Sequence, residues 1–298
     1  VNRRIPGWEK HVVPTINRAH CDSTSKASPS LSFTEDELQS GREQLKKLGV
    51  PPDNPFICFH ARDAAYLNTH LSHINWDYHD YRNADINNYV PAVEELVSKG
   101  YFAIRMGRHV EKKFKTAHPM IIDYAASGGS DFLDVYLSAH CRFFIAGSDG
   151  LAEVPTIFRR PVVWIDFVPF RPIHLVTSGQ LAIPKKLCLS KEKRFLTFDE
   201  MLNTEVAQYC RTEQFQEAGI EMVNNTPEEI LDVAMEMEDR LNGTWVETQE
   251  DKELQQRFRK IVEGNRGQKF YGLIGAQYLR QHKELLGLSD RSKKGCNA

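Results

Sequence analysis

The sequence predicts an α/β protein with a Rossmann-like, mostly parallel sheet and a helical C-terminal extension. Between residues 55 and about 169, short apolar runs typical of buried strands alternate with segments of helical periodicity. Parallel strands need a crossover between them, so this alternation favours a sheet with helices on its faces. From Thr197 onward the periodicity is helical. We therefore divide the chain into a lead-in segment and helix (1–54), a Rossmann-like domain (55–196) and a helical extension with a polar tail (197–298).

Capping patterns, glycine stops and apolar runs place the individual elements. Thr34 and Glu37 form a capping-box pattern ahead of a helix that ends near Lys47, before Gly49. Strands are predicted at residues 56–59, 101–107, 120–125, 141–146 and 161–166. The other predicted helices cover residues 87–99, 130–140, 198–209, 227–241, 249–262 and 271–286.

Composition excludes several classes of protein. A net charge of −2 over 298 residues argues against a broadly basic nucleic-acid-binding surface, so no nucleic acid partner is expected. No apolar run approaches the roughly 20 residues of a membrane span, so no membrane span is expected either. Cys58 and Cys141 lie in predicted buried strands, and no two of the six cysteines form a CxxC pair. We therefore expect a reduced, cytoplasmic protein.

Charged residues follow the first two predicted strands. His60, Arg62 and Asp63 end the first strand, while Arg105, Gly107 and Arg108 end the second. In an open α/β sheet, ligands bind beyond the carboxyl ends of the strands. An always-charged, planar guanidinium such as that of Arg62 suits a phosphate-bearing substrate.

Two further segments carry candidate site residues. The polar and aromatic segment 64–88, here called the flap, is unusually long for a loop and is predicted to cover the active site. It contains Arg82 and the aromatic residues Trp76, Tyr78 and Tyr81, whose rings suit either stacking on an acceptor sugar or anchoring the loop. After the fourth strand, the turn Gly147-Ser-Asp-Gly150 leads toward Glu153. Such a turn suits phosphate binding, although Ser148 and Asp149 also match an ordinary helix cap.

Five motifs together resemble a family of bacterial glycosyltransferases associated with surface-carbohydrate synthesis, and the likeness covers roughly residues 30–287. They are His60-Ala-Arg62-Asp63, Tyr81-Arg-Asn-Ala-Asp-Ile-Asn-Asn-Tyr89, Ile104-Arg-Met-Gly107, Phe144-Ile-Ala-Gly-Ser-Asp-Gly150 and Ile274-Gly-Ala-Gln-Tyr-Leu-Arg280. More distantly, the layout resembles the nucleotide-binding half of GT-B-type fucosyltransferases, in which the arginine of an H-x-R motif binds the diphosphate of GDP-fucose. This chain has Asp63 where many fucosyltransferases carry a second arginine.

The resemblance implies a metal-independent transfer of a sugar from a nucleotide donor, with GDP-sugar one option, to a hydroxyl of a carbohydrate or glycoconjugate acceptor. The nucleotide sugar is a cosubstrate, and no other cofactor and no metal site is expected. The donor-binding residues are predicted to be His60, Arg62, Arg105, Gly107, Arg108, Asp123, Ser148, Asp149, Gly150 and Glu153. Trp76, Tyr78, Tyr81 and Arg82 are predicted to bind the acceptor.

The catalytic base is left open among several carboxylates. Asp63 and Asp85 lead, with Glu111 and Glu153 behind them, although each alone is also a common cap or ion-pair partner. GT-B enzymes have two Rossmann-like domains, and about 54 residues before the first strand are too few for one. Either the chain is a fragment that lacks an N-terminal acceptor domain, or the flap and C-terminal helices form the acceptor side.

Two alternatives belong to other functional classes. A metal-dependent hydrolase is suggested by His60, Asp63, His70, His73, His79, His109 and His118, although their spacing matches no established metal motif. A non-catalytic nucleotide- or sugar-binding module would keep Arg62 and the glycine turn but transfer nothing.

Overall fold

A computed structural model describes residues 29, 31–114, 116, 118–170, 176–264, 269–288 and 296. Ten helices in these residues are α1 (Glu35–Lys47), α2 (Ala65–His70), α3 (Val90–Ser98), α4 (Asp131–His140), α5 (Glu153–Ile157), α6 (Phe198–Asn203), α7 (Thr212–Glu217), α8 (Pro227–Asn242), α9 (Gln249–Gly264) and α10 (Ala276–Gln281). The described strands are β1 (Phe56–His60), β2 (Phe102–Arg105), β3 (Ile121–Ile122), β4 (Phe144–Ala146), β5 (Val162–Phe167), β6 (Leu181–Pro184), β7 (Lys186–Leu189), β8 (Arg194–Phe195), β9 (Ile220–Val223) and β10 (Leu273–Ile274).

Seven strands form the parallel sheet that the sequence predicts, in the order β10-β6-β5-β4-β1-β2-β3. The α/β, Rossmann-like fold class is confirmed. The central strands are apolar along their whole length because both of their faces are covered; every residue of β5 is buried, for example. Helices α3 and α8 pack together, while α4 contacts both α1 and α5. Right-handed crossovers place these two groups of helices on opposite faces.

The order of the strands creates a switch point between β1 and β4. The chain runs from β1 outward to β2 and β3, then returns to place β4 on the other side of β1. The connections on either side of this point leave in opposite directions, which opens a crevice at the carboxyl ends of β1 and β4. His60 pairs with Ala146 across this boundary, so the residues that follow each strand start side by side.

The C-terminal region is mostly helical but also supplies strands. β10 extends the main sheet beside β6, and β9 joins β7 and β8 in a small antiparallel sheet. The predicted helix 198–209 is divided into α6 and a 3-10 helix at Glu205–Gln208. The predicted helix 271–286 consists of β10, α10 and a 3-10 helix at Lys283–Leu286.

Other predicted elements differ in extent. The third strand, predicted over 120–125, is limited to Ile121–Ile122, and a 3-10 helix at Tyr124–Ser127 follows it. The flap contains α2 and a 3-10 helix at Asp77–Arg82. Of the lead-in segment 1–30 and the polar tail 289–298, all but residues 29 and 296 lie outside the described residues. Among the described helices, none combines the length and the apolar character that crossing a membrane requires.

One disulfide contradicts the expectation that all cysteines are reduced. Cys188 on β7 is bonded to Cys296, while Cys58, Cys141 and Cys210 are free. The two partners are 108 residues apart, so spacing along the sequence gave no sign of the bond. Since disulfides are rare in reducing compartments, the cysteines no longer support a cytoplasmic location.

A buried ionic cluster connects α8 to strand β7 of the small antiparallel sheet. Glu229, in the first turn of α8, accepts hydrogen bonds from Lys186 and His282, and all three side chains are mostly buried. Burial alone would raise the pKa of Glu229, but the hydrogen bond from His282 and the charge of Lys186 together lower it from 4.5 to about 2. The ionised carboxylate is therefore stabilised by folding.

We expect Glu229→Gln to lower the free energy of unfolding by about 3 kcal/mol near neutral pH, because Lys186 would be left buried without its counter-charge. The group's folded-state pKa is depressed, so its contribution is full above pH 4.5 and is lost as the pH falls toward about 2. Urea unfolding of both proteins across this pH range measures the effect. Glu228→Gln, an exposed neighbour on the same helix, is the control. A pH-independent difference would contradict this account.

Candidate functional site

A cavity of about 390 Å³ lies at the switch-point edge of the sheet. Four parts of the chain supply its walls: the flap, the turn after β4 with the start of α5, β5 with the residues that follow it, and the loop before α7. The lining residues are His79, Tyr81, Arg82, Ser148, Asp149, Glu153, Trp164, Phe167, Pro169, Val176 and Cys210. Its size is within the usual range for pockets that bind small molecules.

Polar side chains without partners are concentrated in this cavity. His79 Nδ1, Arg82 Nε, Ser148 Oγ and Asp149 Oδ2 are buried and make no hydrogen bond within the described part of the chain. All four residues line the cavity. Buried polar atoms are nearly always paired in folded proteins, because an unpaired one costs about 1–3 kcal/mol. Their concentration in one cavity indicates a site that is built to contact a polar ligand.

Arg62 is buried beneath the flap. Its Nη1 donates to the carbonyl oxygen of His79 at 3.2 Å and also to Asn83 Oδ1. Only 7% of the residue is exposed, so it is enclosed by protein along most of its length. Desolvation and the nearby charge of Arg82 both lower the pKa of its guanidinium. Arg62 thus holds the flap in place and contributes positive charge beside the cavity.

The rings of the flap pack mainly against one another. The ring centroids of Trp76 and Tyr78 lie 5.9 and 4.0 Å from that of His79 and 5.8 Å from each other. The guanidinium of Arg211 lies 4.6 Å from the Tyr78 ring centroid. The cavity is lined by Tyr81 and Arg82 but not by Trp76 or Tyr78. Of the four residues predicted to bind the acceptor, two therefore lie together with the predicted donor-binding turn.

His79 is kept neutral by its surroundings. Desolvation, followed by the positive charges of Arg82, Arg62 and Arg211, lowers the pKa of its imidazole from 6.5 to about 4. Three guanidinium groups therefore set the local charge near the flap side of the cavity. This concentration of cations would attract an anionic group of a ligand.

The turn after β4 carries two carboxylates rather than a simple phosphate cradle. Asp149 accepts a hydrogen bond from the backbone N–H of Ala152 through Oδ1 at 3.0 Å, and its Oδ2 lies 3.6 Å from His60 Nε2. Desolvation and the charge of Asp149 raise the pKa of Glu153, whose side chain keeps exposed surface at the rim. The helix that follows, α5, has only five residues, which gives little support for an anion at its N-terminus.

The two carboxylates predicted as bases lie elsewhere. Asp63 accepts hydrogen bonds from the backbone N–H groups of Ala65 and Glu111, at 3.0 and 2.9 Å. Asp85 caps the 3-10 helix at Ile86–Tyr89 and pairs with Lys112 at 2.7 Å. Both line a second cavity of about 310 Å³, together with Glu111. They hold the loops after β1 and β2 together, as structural carboxylates commonly do.

The residues predicted at the end of β2 form ion pairs outside the main cavity. Arg105 is buried, binds Asp123 at 3.1 Å and donates to the carbonyl oxygen of Lys112 at 2.8 Å. Arg108 pairs with Asp131 and Asp134. Gly107 has a φ of +130°, a backbone conformation that glycine adopts readily and other residues rarely do. None of these residues lines the main cavity.

The apolar wall of the cavity was not predicted from the sequence. It consists of Trp164 and Phe167 on β5, with Pro169 and Val176 after it. The indole N–H of Trp164 donates to Gln180 Oε1 at 3.0 Å, which fixes the ring. Aromatic residues near the end of a buried strand were the available signal, but Trp164 also suits an ordinary core position.

The metal-hydrolase alternative finds no support in the described residues. No three His, Cys, Asp or Glu side chains in that part of the chain converge as metal ligands would. The rings of His70 and His109 lie 4.7 Å apart, but they contact Tyr66 rather than a third ligand.

Comparisons with known proteins identify no family for the chain. No family model matches it, and no curated protein matches it. A solved structure of a glycosyl transferase family 9 protein from Veillonella parvula DSM 2008 aligns with 12% sequence identity and a TM-score of 0.33. The alignment covers 45% of this chain and 36% of that protein's chain. A similarity this distant does not indicate a function for this chain.

We expect Arg62→Ala to destabilise the protein as a whole, because it removes both hydrogen bonds that hold the flap to β1. The free energy of unfolding should fall by about 2–4 kcal/mol, and proteolysis should begin within the flap. Urea unfolding and limited proteolysis measure these effects. Arg142→Ala, an exposed arginine at the opposite end of β4, is the matched control. Unchanged stability of Arg62→Ala would mean that the flap does not depend on this residue.

Proposed function

We propose that the chain is a glycosyltransferase that moves a sugar from a nucleotide-diphosphate donor to a hydroxyl of a carbohydrate or glycoconjugate. The observation that carries the proposal is the switch-point cavity, where Arg82, the carboxylates of Asp149 and Glu153, and the wall with Trp164 and Phe167 meet. A nucleotide sugar offers a matching group to each of them: a diphosphate, sugar hydroxyls and a flat base.

The cations of the flap suit the diphosphate. Arg82 lines the cavity with its Nε unpaired, while Arg62 and Arg211 are close enough to lower the pKa of His79. When the bond to the sugar breaks, negative charge develops on the leaving phosphate, and fixed cations stabilise this charge. Because guanidinium groups can supply this stabilisation, we propose that the transfer is metal-independent.

The apolar wall suits the base of the nucleotide. β4 lies between β1 and β5 in the sheet, which places the turn with Asp149 between the residues that follow those two strands. The base would contact Trp164 and Phe167, the diphosphate Arg82, and the sugar the region near Ser148 and Asp149. We propose GDP-sugar as the first donor to test. The surface of the flap, including Trp76, is proposed to meet the acceptor.

A panel of nucleoside diphosphates tests this proposal. GDP, UDP and ADP, and also CMP, are each added with Mg²⁺ or with EDTA, and the shift in melting temperature is measured. We expect one nucleotide to stabilise the protein in both conditions. Arg82→Ala should weaken its binding by about 10- to 100-fold, since a charge-assisted hydrogen bond contributes about 1.5–3 kcal/mol. Arg142→Ala should bind normally.

Two outcomes would contradict the proposal. If no nucleotide stabilises the protein, the cavity has another ligand. If a nucleotide binds but its sugar conjugate is neither hydrolysed nor transferred, the chain is a binding module rather than an enzyme.

A further inference from the structure

The contacts of His60 determine which of its ring nitrogens faces Asp149. Its Nδ1 lies 3.0 Å from the carbonyl oxygen of Met106. A carbonyl can only accept a hydrogen bond, so Nδ1 carries the hydrogen. The other nitrogen, Nε2, then points toward Asp149 Oδ2 at 3.6 Å.

Asp149 combines three features that no other carboxylate lining the cavity shares. One of its oxygens, Oδ1, is occupied by the N–H of Ala152, which fixes the direction of the carboxylate. The other oxygen, Oδ2, is buried and unpaired within the described residues, and the side chain is only 9% exposed. Its Oδ2 lies 3.6 Å from His60 Nε2. The charge of Asp149 also interacts with Arg62, Glu153 and the buried hydroxyl of Tyr89.

We propose that Asp149 is the general base of the transfer and that His60 is a positioning residue, whose unprotonated Nε2 accepts a hydrogen bond from Asp149 Oδ2 once that oxygen has taken the proton. This assignment rests on the proposed function. The bond between the hydroxyl oxygen and hydrogen of the acceptor breaks, and the proton moves to Asp149 Oδ2. The acceptor oxygen that has lost this proton forms a bond to the anomeric carbon of the donor, while the bond from that carbon to the phosphate oxygen breaks. The diphosphate leaves with the electron pair, beside Arg82.

The other carboxylates fit the role of base less well. Asp63 and Asp85 use their oxygens to hold loops and lie in the second cavity. Glu153 does line the main cavity, but it is exposed at the rim, and no hydrogen bond from the described part of the chain fixes its direction. A base needs to be held within hydrogen-bonding distance of the proton that it removes. Glu153 is therefore the rival to be separated by experiment.

The test compares an acceptor that must lose a proton with one that has none to lose. The donor is the nucleotide sugar whose nucleotide stabilises the wild-type protein most, and the acceptors are water and sodium azide. With water, we expect Asp149→Asn to reduce donor hydrolysis by about 100-fold or more. With azide, the same variant should form the glycosyl azide at a rate within about tenfold of the wild-type protein. Asp199→Asn, an exposed carboxylate on α6, is the matched control.

His60→Ala should also slow hydrolysis, by about tenfold, and azide should relieve this defect too. A residue needed only for folding would not give this recovery. Thermal shifts with the nucleotide, measured on each variant, show whether folding and donor binding are retained.

The outcomes separate this inference from the proposed function. If the wild-type protein binds nucleotides but consumes no donor, the proposed function fails, and the base assignment fails with it. If the wild-type protein is active and Asp149→Asn keeps its hydrolysis within fivefold, only the base assignment is wrong. Loss of nucleotide binding in Asp149→Asn, or a hydrolysis defect with azide recovery in Glu153→Gln alone, would also overturn the assignment.

Discussion

The architecture of the site depends on one buried guanidinium. Arg62 ends a strand that is covered on both faces, so its charge cannot reach bulk water and needs acceptors from within the protein. The flap supplies them, through the carbonyl oxygen of His79 and the side chain of Asn83. Meeting this requirement folds the flap over the carboxyl ends of the strands. The cavity exists because the flap returns to that edge.

A second set of contacts fixes the same flap to the C-terminal region. Lys185, directly after β6, donates to the carbonyl oxygen of Asn83 at 2.7 Å. Near the end of β5, the backbone N–H of Asp166 donates to Asn225 Oδ1, and the backbone N–H of Asn225, just before α8, donates to Asp166 Oδ1. Burial raises the pKa of Asp166 to about 6, although the positive charge of Lys185 opposes this effect. Thr212 Oγ1 accepts from the backbone N–H of Tyr81 at 3.1 Å and donates to the carbonyl oxygen of Asp77 at 2.9 Å. Residues after 197 therefore also help to position the flap, and they belong to the same folded core as the sheet.

The sequence was most informative where local signals agree with the final packing. The buried runs at β1, β4 and β5 and the capping box that starts α1 are determined by nearby residues, and they were found where predicted. Strands β6 and β7 were missed because Lys185 and Lys186 interrupt the apolar pattern. Their charges are accepted in the core only because distant partners, among them Glu229, compensate for them. Ion pairs between residues this far apart along the chain cannot be predicted from a short stretch of sequence.

The same limit applies to the site. Asp63 and Asp149 look alike in sequence, since each follows a buried strand at the switch point. What separates them is the backbone N–H of Glu111, which is 48 residues from Asp63 and occupies its second oxygen. His60 and Arg62 were predicted as site residues because they follow a buried strand. The opposite wall, with Trp164 and Phe167, was missed because only the sheet order brings it to the same edge.

The charges in the cavity also restrict what it can bind. Arg82 and Asp149 face the same space, yet they form no ion pair with each other that would cancel their charges. Asp149 is oriented by the N–H of Ala152 and lies 3.6 Å from His60 Nε2, while the Nε of Arg82 has no partner among the described residues. A simple phosphate would satisfy the arginine but would be repelled by the carboxylate. A ligand that carries both an anionic group and hydroxyl donors satisfies both, because each hydroxyl can donate to the carboxylate while the phosphate accepts from the guanidinium. The separation of the two charges therefore favours a phosphorylated sugar over inorganic phosphate, independently of which base the donor carries.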